Sequence, residues 1–163
     1  MKRLFAIACL CLGACSNPSP DISEQIAQAF IRNDGAPIDL ALFGPPSWER
    51  ICVLGPYTSN DGAEAILGFR WNSESKTSIG ANDGVTVLVF VRGDEVLAYA
   101  EHPRSKGDFI HMKPSCLPRS HAKVARRAKL NGWVFLLALG QPDPLEAGPL
   151  QQTATPPGGG VDR

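Results

Sequence analysis

The chain has 163 residues, and its 16 basic and 16 acidic side chains leave a formal net charge of zero. A balance of this kind exerts no global pull toward nucleic acid. Residues 21–140 suffice for one domain with its own core, and a second domain does not fit.

Lys2 and Arg3 form a positive leader, Leu4 to Leu12 form an apolar run, and small residues follow it, the layout of a secretory signal peptide. The run is too short to cross a bilayer, which takes about twenty helical residues. It ends in Leu12-Gly13-Ala14-Cys15, which resembles the lipobox of bacterial lipoproteins over these four residues and their setting. The resemblance implies a diacylglycerol on the Cys15 sulfur, cleavage that removes residues 1–14, and acylation of the new amino group. The alternative is an ordinary signal peptide with an incidental cysteine. One acyl chain holds a protein only marginally, whereas two or three make a durable anchor. In that family an aspartate after the cysteine retains the protein in the inner membrane. Ser16 stands there instead, which implies the outer membrane, facing the periplasm. Loss of Lys2 and Arg3 with the leader leaves 14 basic against 16 acidic residues.

The five cysteines sort by position. Cys9 and Cys11 leave with the leader, and Cys15 is the lipid site. Cys52 and Cys116 remain, and an even pair in an oxidising envelope reads as one disulfide. Residues 15–20 make a lipidated tether, whose stretch from Ser16 to Pro20 reaches at most about 17 Å when extended. Asp21 followed by Glu24 has the form of a capping box, and Ile22, Ile26, Ala29 and Phe30 recur at helical spacing before Asn33-Asp34-Gly35. A helix over 22–32 follows, its apolar stripe facing the domain or a partner.

Residues 36–47 are apolar but broken by Pro37, Gly44, Pro45 and Pro46, and read as an irregular connection. Trp48 to Leu54 is β-branched and aromatic and predicts a strand ended by Gly55-Pro56. The segment Trp48 to Tyr57 resembles a W-x-x-[IL]-C-x-x-G-x-Y pattern of small uncharacterised enterobacterial lipoproteins. That resemblance covers ten residues and implies no activity; Trp48, Cys52 and Tyr57 read as core and disulfide residues rather than as a site. Thr58 to Asp61 offer several N-cap candidates, and Ala63, Ala65, Ile66 and Leu67 before Gly68 predict a short helix of barely two turns, followed by a strand at 69–71 and a polar loop over 72–84.

Val85 to Val91 carries valine at every second position with Thr86, Leu88 and Phe90 between, so both faces are apolar and the strand belongs in the middle of a sheet. Gly93-Asp94 is a hairpin turn, and residues 95–100 are the antiparallel return. A strand over 108–112, a loop over 113–119, a helix from Ser120 to about residue 130, and a buried strand or helix end over 133–139 complete the domain. Residues 141–163, rich in Pro, Gly, Gln and Thr, are expected to be disordered.

The usual catalytic signatures are absent: there is no G-x-S-x-G, no H-E-x-x-H, no phosphate-binding glycine loop and no paired C-x-x-C. Two chemistries remain conceivable. His102, Asp108 and His111 could bind a metal, though loop histidines explain the same residues more simply. Cys52 with His102 or His111 could form a thiol enzyme. No cofactor is implied. One charge feature departs from the average: between Asp108 and Asp143 there is no acidic residue, while Lys113, Arg119, Lys123, Arg126, Arg127 and Lys129 are basic. Such segregation suits an anionic surface of lipid headgroups, lipopolysaccharide phosphates or peptidoglycan, and equally describes a solvated helix face.

The sequence therefore predicts an α+β protein in which an N-terminal helix packs on a small antiparallel sheet of three to five strands, with a lipid tether before it and a disordered tail after it. The expected function is a non-catalytic envelope lipoprotein that binds a protein partner or an anionic envelope component, with no nucleic acid among its partners. The alternatives are a small envelope enzyme using Cys52 or an inhibitor of a lysozyme-type hydrolase.

Overall fold

Ile22, Ile26 and Phe30 lie one above another on the first helix, and all three are buried. In the computed structural model, which describes residues 20–130 and 133–142, this helix is α1, Pro20–Arg32. It begins one residue before the expected Asp21 cap. Pro20 takes the first helical position, where its missing N–H costs nothing, and Asp21 places a carboxylate in the first turn, the favourable end of the helix dipole. The leader, Cys15, most of the tether and the tail from residue 143 lie outside the described residues.

Among the described residues seven strands follow: β1 (Ile38–Asp39), β2 (Arg50–Leu54), β3 (Val85–Arg92), β4 (Glu95–Pro103), β5 (Cys116–Pro118), β6 (Lys123–Leu130) and β7 (Trp133–Ala138). They form two antiparallel sheets, one of four strands in the order β4-β3-β2-β5 and one of three in the order β1-β6-β7. The protein is α+β, with the expected helix packed on antiparallel strands.

β3 is an inner strand covered on both sides, as its unbroken apolar run requires. On one face Leu88 and Phe90, with Ile51 and Val53 of β2 and Ala98 and Ala100 of β4, meet α1 and the inner face of the three-stranded sheet, Val124, Leu136 and Ala138. On the other, Val87, Val89 and Val91, with Cys52, Leu54 and Tyr99, pack under α2 (Asn60–Leu67) and the segment that carries Trp71 and Ile79. A bulge opposite Phe90 and Val91 shifts the β4 register, which returns Val96 to the α2 side while Ala98 stays on the α1 side. Gly107, at φ 140, admits only a hydrogen at its α-carbon, because a Cβ there would lie 2.4 Å from Leu136 Cδ1.

Several expectations need correction. Residues 120–130 are not a helix. After a single 3-10 turn at Arg119–His121, Lys123–Leu130 is strand β6, paired with β7 from Val124↔Ala138 to Leu130↔Trp133. Ala, Lys and Arg favour a helix locally, but the apolar run of β7 supplies a partner two residues away, and pairing overrides propensity. Residues 69–71 are not a strand. Gly68, in the left-handed conformation, ends α2, Phe69 lies beneath the Arg50 guanidinium, and Trp71 turns inward onto Tyr99. Residues 108–112 make one bridge, Asp108 to Phe135, and no strand, because the Asp108 carboxylate accepts the Ile110 N–H and bends the chain. The loops expected over 36–47, 72–84 and 113–119 contain β1 with a 3-10 turn at Leu40–Leu42, the short helix α3 (Ser73–Lys76), and β5.

Candidate functional site

β2 and β5 pair in a register that sets Cys52 directly opposite Cys116, and the two are joined as a disulfide. Cys52 is fully buried on the α2 side of the sheet. His102 stands opposite Thr86 on β3, which by strand alternation faces α1. The sheet thus separates the thiol-enzyme pair Cys52 and His102. His111 is elsewhere and exposed, its ring 4.6 Å from that of Phe135. A bonded sulfur is no nucleophile, so neither Cys–His pairing is assembled.

The metal set is also dispersed. Asp108 is fully buried and ion-paired to Arg104 at 2.7 Å, while His102 is fully buried against Ser23. Among the described residues no group of three or more His, Cys, Asp or Glu side chains is placed to hold a metal ion.

The six basic residues do not form one face. Their helix is a strand, and alternation puts Arg126 on the side of Val124 and Arg127 on the opposite side. Arg126 borders a small cavity beside Glu24, Phe30 and Lys106. Lys113 and Lys123 are exposed, and the Lys129 side chain lies outside the described residues. Arg119 is half-buried and tied to the scaffold: its guanidinium donates to the carbonyls of Pro46 and, at 3.1 Å, Ala41, and sits 5.1 Å above the Trp48 ring. A planar group with five donors can tie the 41–48 segment to the 3-10 turn in this way, whereas an ammonium cannot.

Two polar assemblies went unread in the sequence. The first lies under α1. Ser23 Oγ is 3.0 Å from His102 Nδ1, and one residue further along the helix Glu24 takes a 2.6 Å ion pair from Lys106. Together they latch α1 to the end of β4. His102 Nε2 and Thr86 Oγ1 are buried without a hydrogen-bond partner. Burial pushes the His102 pKa down to about 4 from an ordinary 6.5, and the Lys106 ammonium adds to the effect, against opposing pulls from Asp108, Glu24 and the Gly107 backbone. His102 is therefore a neutral core residue at neutral pH.

The second assembly is a cleft of about 400 Å³ lined by Asn60, Asp61, Glu64, Arg70, Trp71 and Asn72. Ser59 caps α2 by accepting the Gly62 N–H. The Asn60 carbonyl oxygen accepts from the Ser73 hydroxyl and the Glu74 N–H, and a Glu74 oxygen accepts the Asn60 N–H in return, so the two helix starts hold each other. Arg70 pairs with Glu64 at 3.2 Å. The Trp71 ring packs edge-on against Tyr99 with centroids 5.2 Å apart, and its indole N–H is buried with no acceptor. Close by in sequence, Tyr57 is not the core residue expected: it is 64% exposed and held at φ 61, its N–H donated to the Ile79 carbonyl. Sequence signals for the cleft were faint: Asn60, Asp61 and Asn72 read as capping and loop residues, which they also are.

Comparison with protein-family models, with curated proteins and with solved structures finds no match to this chain.

Proposed function

We propose that this protein is a lipid-anchored bacterial envelope lipoprotein, placed at the outer membrane facing the periplasm, whose domain is a non-catalytic binding module. The observation that carries the reading is Leu12-Gly13-Ala14-Cys15 at the end of a basic and apolar leader. The Cys52–Cys116 disulfide supports an oxidising compartment. The thiol-enzyme alternative loses its nucleophile to the same bond. Among the described side chains, the contact with an anionic envelope component narrows to the exposed Lys113, Lys123, Arg126 and Arg127, because Arg119 is engaged by backbone carbonyls.

The test is metabolic labelling with a palmitate analogue. Wild type should take up label and fractionate with membranes, while Cys15→Ser should persist as an unlabelled, uncut precursor. A wild-type protein that is unlabelled and soluble in the periplasm overturns the proposal.

A further inference from the structure

Several segments meet at one end of the larger sheet. α1 starts at Pro20, and its Ser23 hydroxyl meets the His102 ring near the end of β4. That ring lies 5.3 Å from the ring of Phe109, and the next residue, Ile110, reaches the turn after β2, where a Cβ on Gly55 would lie 3.8 Å from Ile110 Cγ1. The same turn carries Tyr57. Leu54 and Glu101 both stand opposite Val87, so β2 and β4 end together, two strand spacings or about 10 Å apart. Tyr57 and Ile110, 64% and 37% exposed, thus stand at the end of the domain from which the chain leads back to Cys15. We propose that this end is a lipid-docking surface, on which the Tyr57 ring and the Ile110 side chain rest in the interface of the bilayer that holds the acyl chains of Cys15.

The proposal rests on the lipid-anchor reading and adds to it which end of the domain meets the membrane. The stretch from Ser16 to Pro20 reaches at most about 17 Å, whereas a domain of this size is roughly 35 Å across, so the end at which α1 begins stays against the lipid. Ile31 and Leu42 are exposed too, but Ile31 is in the last turn of α1 and Leu42 borders a hollow with Arg32 of that turn; seating them would require the tether to fold back along the whole helix. The backbone of Tyr57 is an independent sign. It is held at φ 61, a conformation that glycine adopts freely and a side chain does not, while its ring is left largely outside the core, so packing gives no return for the strain. Strain of that kind belongs to positions kept for function. An aromatic ring with a polar tip suits the depth of lipid headgroups, and the stem of the exposed Lys113, two residues before the Ser115 carbonyl that accepts the Val53 N–H, can lie along lipid with its ammonium in water. Charge here is mixed: Glu24 pairs with Lys106 at 2.6 Å, Asp108 with Arg104 at 2.7 Å, and Asp21 is exposed. The contact is therefore apolar, and a zwitterionic lipid satisfies it. Two side chains alone bind weakly, but the anchor makes the contact intramolecular and so well populated.

The experiment uses the acylated full chain, taken from membranes and reconstituted in phosphatidylcholine nanodiscs, with 3-fluorotyrosine in place of tyrosine. The chain has two tyrosines, Tyr57 and the buried Tyr99, so Tyr99 serves as the internal reference in the fluorine spectrum. A nitroxide carried by the lipid near its headgroup should relax the Tyr57 signal far more than the Tyr99 signal, and a water-soluble gadolinium chelate should leave the Tyr57 signal protected. Both results should persist in about 1 M sodium chloride, where charge contacts are screened within about 3 Å. Ile110→Asp replaces an apolar contact with a charge and should lower the ratio of seated to lifted molecules at least about tenfold, read as nitroxide relaxation lost and chelate relaxation gained at Tyr57. The wild-type measurement decides by itself if Ile110→Asp folds poorly. An acylated chain whose Tyr57 is relaxed by the chelate and not by the nitroxide, a nitroxide effect that disappears in salt, or an unchanged ratio in a folded Ile110→Asp protein overturns the docking surface and leaves the anchor standing. A chain that carries no acyl group removes the anchor, and the docking surface with it.

Discussion

Acid should unfasten α1 through one side chain. His102 is fully buried and neutral, with its pKa held at about 4 against 6.5 in an unfolded chain. Between these values the unfolded chain takes up a proton that the folded one refuses, so stability is complete above about pH 6.5 and falls as the pH drops toward 4. At about 1.4 kcal/mol per pH unit, the gap corresponds to roughly 3 kcal/mol, a large part of the 5–15 kcal/mol that a domain of this size commands. The perturbation is His102→Leu, which removes the titration and keeps an apolar volume under the helix. Urea unfolding of both proteins, followed by tryptophan fluorescence at intervals from about pH 7 to pH 4, gives the difference in free energy. Glu24, whose pKa is lowered by the hydrogen bond from Lys106, is present in both proteins, so the pH dependence it brings is largely common to the two curves. The leucine variant should be the less stable at neutral pH, because Ser23 loses its partner, and the gap should close or reverse by about 3 kcal/mol as acid is added. A gap that stays constant across the range, or a His102 ring resonance that titrates near 6.5, refutes the reasoning.

Reduction of the Cys52–Cys116 bond, which closes a separation of 64 residues, should remove about 4 kcal/mol by the chain-entropy estimate, read as a large fall in Tm; no native thiol should react before unfolding and reduction. Tyr57→Gly should raise stability by about 0.5–1 kcal/mol, since a left-handed tyrosine costs about 1–2 kcal/mol and glycine returns part of that as chain entropy, and an unchanged or lower Tm would show that the tyrosine is not strained. Arg119→Lys should destabilise by about 1–3 kcal/mol despite keeping the charge, measured as a shift of the urea midpoint with an unchanged slope; a neutral effect would return Arg119 to the surface.

What the sequence made legible is what depends on near neighbours. The α1 stripe, the β3–β4 hairpin and the pairing of the two cysteines left in the domain each follow from spacing, turn residues or elimination, and the structure contains all three. What it hid depends on distant partners. Lys123–Leu130 has helical composition, and only its pairing with the β7 run makes it extended. The basic segment read as one face because a helix was assumed, and period-two alternation divides it. Arg119 counted as surface charge until the carbonyls of the 41–48 segment came within its reach. The cleft residues are scattered caps and turns, brought together by α3 folding back on α2, and no local pattern announces that contact.

The cross-link between β2 and β5 also bears on how the molecule answers mechanical load. A pull applied between the two ends of the chain passes from residue 52 to residue 116 through the sulfurs and bypasses everything between. That closed ring contains α2, α3, β3 and β4, hence the middle of the larger sheet and the whole polar cleft. Among the described residues, α1, β1, β6 and β7 lie on the load path outside it, with Arg50 and Ile51 of β2 and Leu117 and Pro118 of β5, and can peel away. At roughly 3.3–3.6 Å per residue, the ring withholds on the order of 200 Å of contour length from extension. A protein tethered at one end and drawn from the other would thus lengthen in its outer elements while the part that carries the cleft stays folded and unloaded.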